Sequence, residues 1–131
     1  MADADAMKGH KEVIELLNEV LAGELVSINQ YFLHSRMCEN WGFKALAKVL
    51  YHESIDEMKH ADALIKRILF LEGLRNVQRL DKLHIGETVL EQLKSDLELE
   101  TSAMKRLRDG IALCRDRVDR VSEDLLVSIL G

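Results

Sequence analysis

The chain has 131 residues, no proline and two cysteines, with 47% apolar residues, 31% charged residues and a net charge of −5. That size makes one domain, and the mixture of apolar and charged residues suits amphipathic helices. The acidic balance argues against a nucleic-acid binder, which would show a basic face, and no apolar stretch of eighteen residues is available to cross a membrane.

The amino-terminal MADADAMKG has no basic segment followed by an apolar run, so no secretory signal is expected and a cytoplasmic location follows. Residues 1–8 read as a flexible tail on a single domain covering 1–131. Cys38 and Cys114 stand far apart with no CxxC pair, which fits free thiols in a reducing compartment.

The first helix is expected from about Lys11 to Asn40, with a seam of Leu17, Leu21, Glu24, Ile28 and Tyr31 at alternating spacings of four and three. Asn40-Trp41-Gly42 reads as a break, with Trp41 marking the turn as a packing residue. The second helix runs from about Phe43 to Leu71 along Leu46, Leu50, Glu53, Glu57, His60, Leu64, Ile68 and Leu71, and Glu72-Gly73 closes it. Residues 73–87 have no period and read as a long connection. Thr88 with Glu91 forms a capping box for a third helix to about Arg115. Its seam reads Leu90, Leu93, Leu97, Glu100, Met104, Leu107, Ile111 and Cys114. A fourth helix begins near Asp119 or Ser122, carries Val121, Leu125 and Ile129, and has only about three turns, as if cut short. The fold class is therefore all-α, a four-helix bundle with one long crossover between helices two and three.

The seams hold charges where leucine belongs. Glu24, Glu53, Glu57, His60 and Glu100 fall on interior positions, and no seam supplies a lysine or arginine to offset them. Burying an ionised carboxylate costs several kcal/mol without compensation. A bound metal ion is the simplest compensation. Glu24 and Glu57 lie equally far from the break near residue 40, so an antiparallel hairpin sets them face to face. His60 follows Glu57 by three residues on the same face. Oxygen-rich donors with an imidazole suit iron or manganese, and two irons together pass two electrons to oxygen. An isolated ExxH pair is commonly an ordinary helix surface; three seam carboxylates with a seam histidine favour metal. Glu53, one turn before Glu57, faces either the site or an adjoining channel.

The run Gly23 to His34 (GELVSINQYFLH) closely resembles the first helix of bacterioferritins, and Tyr51 to Asp62 (YHESIDEMKHAD) resembles their second. The runs Ile68 to Leu74 and Ser95 to Glu100 are similar as well. The resemblance implies a ferritin-like bundle, a di-iron ferroxidase centre and assembly into a 24-subunit shell around ferric mineral. It implies that Glu24 and His60 are ligands of one iron, that Glu57 bridges, and that Glu100 serves the second iron. It implies haem b between two subunits at a two-fold interface, held by Met58 of each, with Met58 turned about 100° from Glu57. His52 and Asp56 match an inner-surface position that holds a further iron. Tyr31 is expected to donate an electron or a hydrogen bond near the centre. Iron ions, oxygen or peroxide, and a ferredoxin-type reductant are the expected partners.

The family pattern also calls for a second Glu-x-x-His near position 133, which the sequence does not contain. A non-catalytic shell or haem-binding subunit is therefore the competing expectation. A rubrerythrin-type peroxidase would usually bring a CxxC module, and none is present.

Overall fold

The computed structural model describes residues 10–71 and 82–131. The expected amino-terminal tail, the Glu72-Gly73 stop and most of the crossover lie outside those residues. Four helices follow in order: α1 (Lys11–Asn40), α2 (Lys44–Phe70), α3 (Val89–Asp116) and α4 (Arg120–Leu130). The two long helices α1 and α2 form a hairpin. A long connection leads to α3, which lies antiparallel against α1 and turns back into the short α4.

The boundaries have local causes. α1 stops where Trp41 caps it and Gly42 takes φ +90°, a left-handed turn that glycine makes without strain. α3 starts at Thr88, whose hydroxyl accepts the Glu91 amide, while the Glu91 side chain accepts the Glu87 amide. α4 starts at Asp119, which accepts the Ser122 amide.

Apolar side chains gather in two clusters. The larger one joins Leu17, Leu21, Leu64, Ile68, Leu107, Cys114 and Leu126 from all four helices. The smaller one joins Tyr31, Cys38, Ala47 and Leu50 near the α1–α2 turn. Glu24, Glu57 and Glu100 occupy the stretch of each long helix between the clusters, so the bundle has a polar waist between apolar ends. Two serines tie α1 to α2: Ser54 Oγ donates to the Ile28 carbonyl, and nearer the turn Ser35 Oγ donates to the Ala47 carbonyl.

The seams of α1 and α2 lie largely inside as expected, with Glu53 nearer the surface. The seam of α3 does not in its first half. Leu90, Leu93 and Leu97 are 63%, 46% and 65% exposed, and Met104 is exposed too. The face turned to α1 instead carries the buried polar pair Gln92 and Asp96. Specific polar partners on α1 turn that face inward, and they outweigh the apolar periodicity. On α4 the buried line is Ser122 and Leu126, with Val121 exposed, one residue round from the expected seam.

Candidate metal centre

Each acidic side chain of the waist is placed by its helix. Glu24 sits one turn past the buried Leu21 on α1, and Glu57 one turn before the buried Ala61 on α2. Both are buried, at 4% and 7% exposure. His60 and Glu100 are half-buried.

Two triads of ligand atoms result. Glu24, Glu57 and His60 offer one atom each within 4.8 Å of one another, and so do Glu53, Glu57 and Glu100. Glu57 belongs to both. His60 Nδ1 lies 3.4 Å from Glu24 Oε2 and 3.4 Å from Glu57 Oε2, long for a strong hydrogen bond. Glu24 Oε2 is buried and accepts no hydrogen bond. Among the described residues no lysine or arginine is ion-paired to any of these carboxylates. Arg106 packs its guanidinium against Gly23, where a Cβ would collide with it, yet makes no ion pair with Glu24.

Three or four carboxylates around one imidazole without a counter-cation form an electrostatically costly arrangement. The titration behaviour reflects that cost. The Glu57 hydrogen bond, against opposing desolvation and with the charges of Glu57, Asp56 and Glu100, raises the His60 pKa above its ordinary 6.5. Burial raises the Glu100 carboxyl above 4.5, aided by the charges of Glu57, Glu53 and Asp96 and opposed by a hydrogen bond from Tyr31. Burial and its hydrogen bond to Glu100 also raise the Tyr31 phenol. A divalent ion would satisfy the orphan oxygen and reverse the sign of these shifts. The donor set, oxygen-rich with one imidazole, fits iron or manganese.

A small cavity opens beside the cluster. Its lining joins the polar Glu24, Ser27, Glu57, His60 and Glu100 to apolar residues that include Met104, Leu107 and Ile129.

The structure gathers four of the sequence-derived site residues, Glu24, Glu57, His60 and Glu100. It adds Glu53 to the Glu100 side, a residue whose direction the sequence left open; its i, i+4 spacing from Glu57 was the available signal. His52 and Asp56 lie outside both triads, exposed on α2, with His52 edge-on to Tyr51 at 6.1 Å. Met58 points outward at 44% exposure, away from the waist, as its angular offset from Glu57 requires. Tyr31 donates to Glu100, and Trp41 caps α1 while 39% exposed.

Residues 14–131 match the family model for the ferritin-like domain. A bacterioferritin of Mycobacterium leprae is 51% identical over 125 residues, covering 95% of this chain and 79% of the relative. The chain belongs to the bacterioferritin family. A bacterial ferritin of Pseudomonas aeruginosa is 52% identical over 95% of this chain and 80% of its own length. A bacterioferritin of Streptomyces coelicolor is 47% identical over 95% of this chain and 75% of its own length. Membership of the bacterioferritin family accords with the four helices, the long connection between α2 and α3, and the carboxylates facing each other between α1 and α2. No helix among the described residues is long and apolar enough to cross a membrane.

Proposed function

We propose that the chain is a ferroxidase and iron-storage subunit that binds Fe(II) at its waist, oxidises it with oxygen or peroxide, and passes Fe(III) to a mineral inside a 24-subunit shell in the cytoplasm. The observation that carries this reading is the sharing of Glu57 between two triads. A carboxylate common to two donor groups suits a bridge between two metal ions, because each of its two oxygens can bind one of them. Glu24 and His60 serve as ligands of one iron, with Glu100 and Glu53 on the other. Each Fe(II) gives up one electron and the oxidant takes two, so adjacent irons match its demand. The chain's own part is to bind, to hold the ions adjacent, and to keep water limited between two apolar clusters.

The exposed Met58 supports a haem b site completed by Met58 of a second copy across a two-fold axis. Haem there supplies a one-electron carrier for a ferredoxin-type reductant. His52 and Asp56, exposed one turn apart, serve as a transit site for iron on the way to the mineral. The test for the haem is Met58→Leu, which should lose the reduced-haem absorption bands on reconstitution; retained bands would put the ligand elsewhere.

A second reading is iron binding in a non-catalytic shell subunit. It is favoured by the all-carboxylate character of the Glu53–Glu57–Glu100 triad among the described residues. Aerobic addition of Fe(II) separates the two. Ferric absorbance should rise faster with the parent chain than with Glu57→Ala, and equal rates would remove the ferroxidase assignment.

A further inference from the structure

We infer that Asp96 is a positioning residue for this metal centre: a polar rung of Asp96 with His34 and Gln30 fixes the register at which α3 presents Glu100 to Glu57. The inference rests on the metal-centre reading above. Leu90, Leu93 and Leu97 face outward, so apolar burial does not set the register of the first half of α3. Three polar rungs do. Cys38 Sγ donates to Gln92 Oε1 at 3.0 Å, Gln30 Nε2 and His34 Nδ1 both meet Asp96 Oδ1 at 3.0 Å, and Tyr31 donates to Glu100 at 2.7 Å. The α3 partners are Gln92, Asp96 and Glu100, four residues apart, and they descend α1 through positions 38, 34 and 31. Four residues advance a helix by about 6 Å, so a one-turn slip carries Glu100 out of the cluster.

The middle rung is the selective one because its donors are preset. The Gly86 amide donates to His34 Nε2 at 3.0 Å. That nitrogen must therefore be the acceptor, which leaves the proton on Nδ1 to donate to Asp96. The His84 amide donates to Gln30 Oε1 at 3.0 Å, which turns the Gln30 amide nitrogen toward Asp96 in the same way. Gln30 and His34 are fully buried and Asp96 is 5% exposed. The end of the crossover thus sets two donors, and both converge on one oxygen of Asp96. A Gln or Glu arriving there by a slip has a different length and meets donors aimed for the shorter side chain. Glu100 lies one turn beyond this fixed point.

The test is Co(II) binding without oxygen, followed by visible absorption, in the parent, Asp96→Asn, Asp96→Ala and Gln30→Ala chains. Asp96→Asn keeps an acceptor oxygen and should bind like the parent. Asp96→Ala and Gln30→Ala should weaken the Glu53–Glu57–Glu100 side at least about tenfold, the usual scale for a group that orients a ligand, and leave the Glu24–Glu57–His60 side within about twofold. Equal binding by folded Asp96→Ala and the parent overturns the assignment, as does an equal loss at both sides. Should Asp96→Ala fail to fold, Gln30→Ala decides by the same criteria. A parent chain that binds no Co(II) overturns the metal centre itself, a result distinct from either.

Discussion

The Tyr31 phenol donates a 2.7 Å hydrogen bond to Glu100 Oε1, linking α1 to the carboxylate that α3 brings to the waist. The bond holds Glu100 while no cation neutralises it, and it lowers a pKa that burial raises. Tyr31→Phe removes the donor and leaves a half-buried carboxylate oxygen without it. The apo chain should lose about 1–2 kcal/mol of stability, read as a lower urea midpoint at unchanged slope. An unchanged midpoint would mean that water replaces the phenol at no cost.

Metal affinity should fall on mild acidification. His60 and Glu100 both have raised pKa values in the folded apo chain. A raised group contributes stability that is complete below its unfolded value, 6.5 for the histidine and 4.5 for the carboxyl, and is lost as pH rises through the folded value. The protons therefore favour the empty site and the metal must displace them. Co(II) titrations taken from about pH 8 down to about pH 5.5 should show affinity declining about tenfold per unit for each proton the metal must displace. The decline should set in above the ordinary histidine value. A flat profile would exclude His60 as a ligand.

Asp119 pins the start of α4 to α2. It accepts from Arg67 Nη2 at 2.9 Å, from the Ser122 amide at 3.0 Å and from Ser122 Oγ at 2.7 Å. Burial alone would raise its pKa, but the Ser122 and Arg67 donors prevail and lower it from 3.8. Its contribution is thus complete above the unfolded value and lost as pH falls through the lower folded one. Asp119→Ala removes a cap and the ion pair of Arg67, which keeps its Nε bond to Ser122 Oγ, and should cost about 1–2 kcal/mol near neutral pH. Thermal melts should show the parent and variant converging in strong acid.

Much of this fold is legible in the residues, for physical reasons that differ from place to place. The break at Asn40-Trp41-Gly42 and the Thr88 cap are local chemistry, readable from a few residues. The buried Glu24 and Glu57 stand out because charge interrupts a leucine period. The inward face of α3 is not legible in the same way. Gln92 bonds Cys38 and the Gly86 carbonyl, and Asp96 Oδ1 meets Gln30 and His34, whose other polar atoms the crossover amides fix; no periodicity records a partner more than fifty residues away. Leu90, Leu93 and Leu97 supply the stronger pattern and point the other way.

Val118 shows the same limit at one residue. It adopts φ +59° between α3 and α4, a left-handed conformation that a β-branched side chain resists, and it is 76% exposed. Left-handed geometry costs an ordinary residue about 1–2 kcal/mol. Glycine avoids that cost but gives back about 0.5–1 kcal/mol in chain entropy. Val118→Gly should therefore stabilise the chain by about 0.5–1 kcal/mol, seen as a higher Tm. A lower Tm would mean that the valine makes a contact worth more than its strain.

The central claim is that Glu57 serves two metal ions at once. Anaerobic Fe(II) titration by calorimetry, comparing the parent with Glu57→Ala and Glu24→Ala, tests it most directly. The account predicts two ions per parent chain, one for Glu24→Ala, and loss of tight binding at both positions for Glu57→Ala. A Glu57→Ala chain that keeps the parent's stoichiometry and affinity would contradict it.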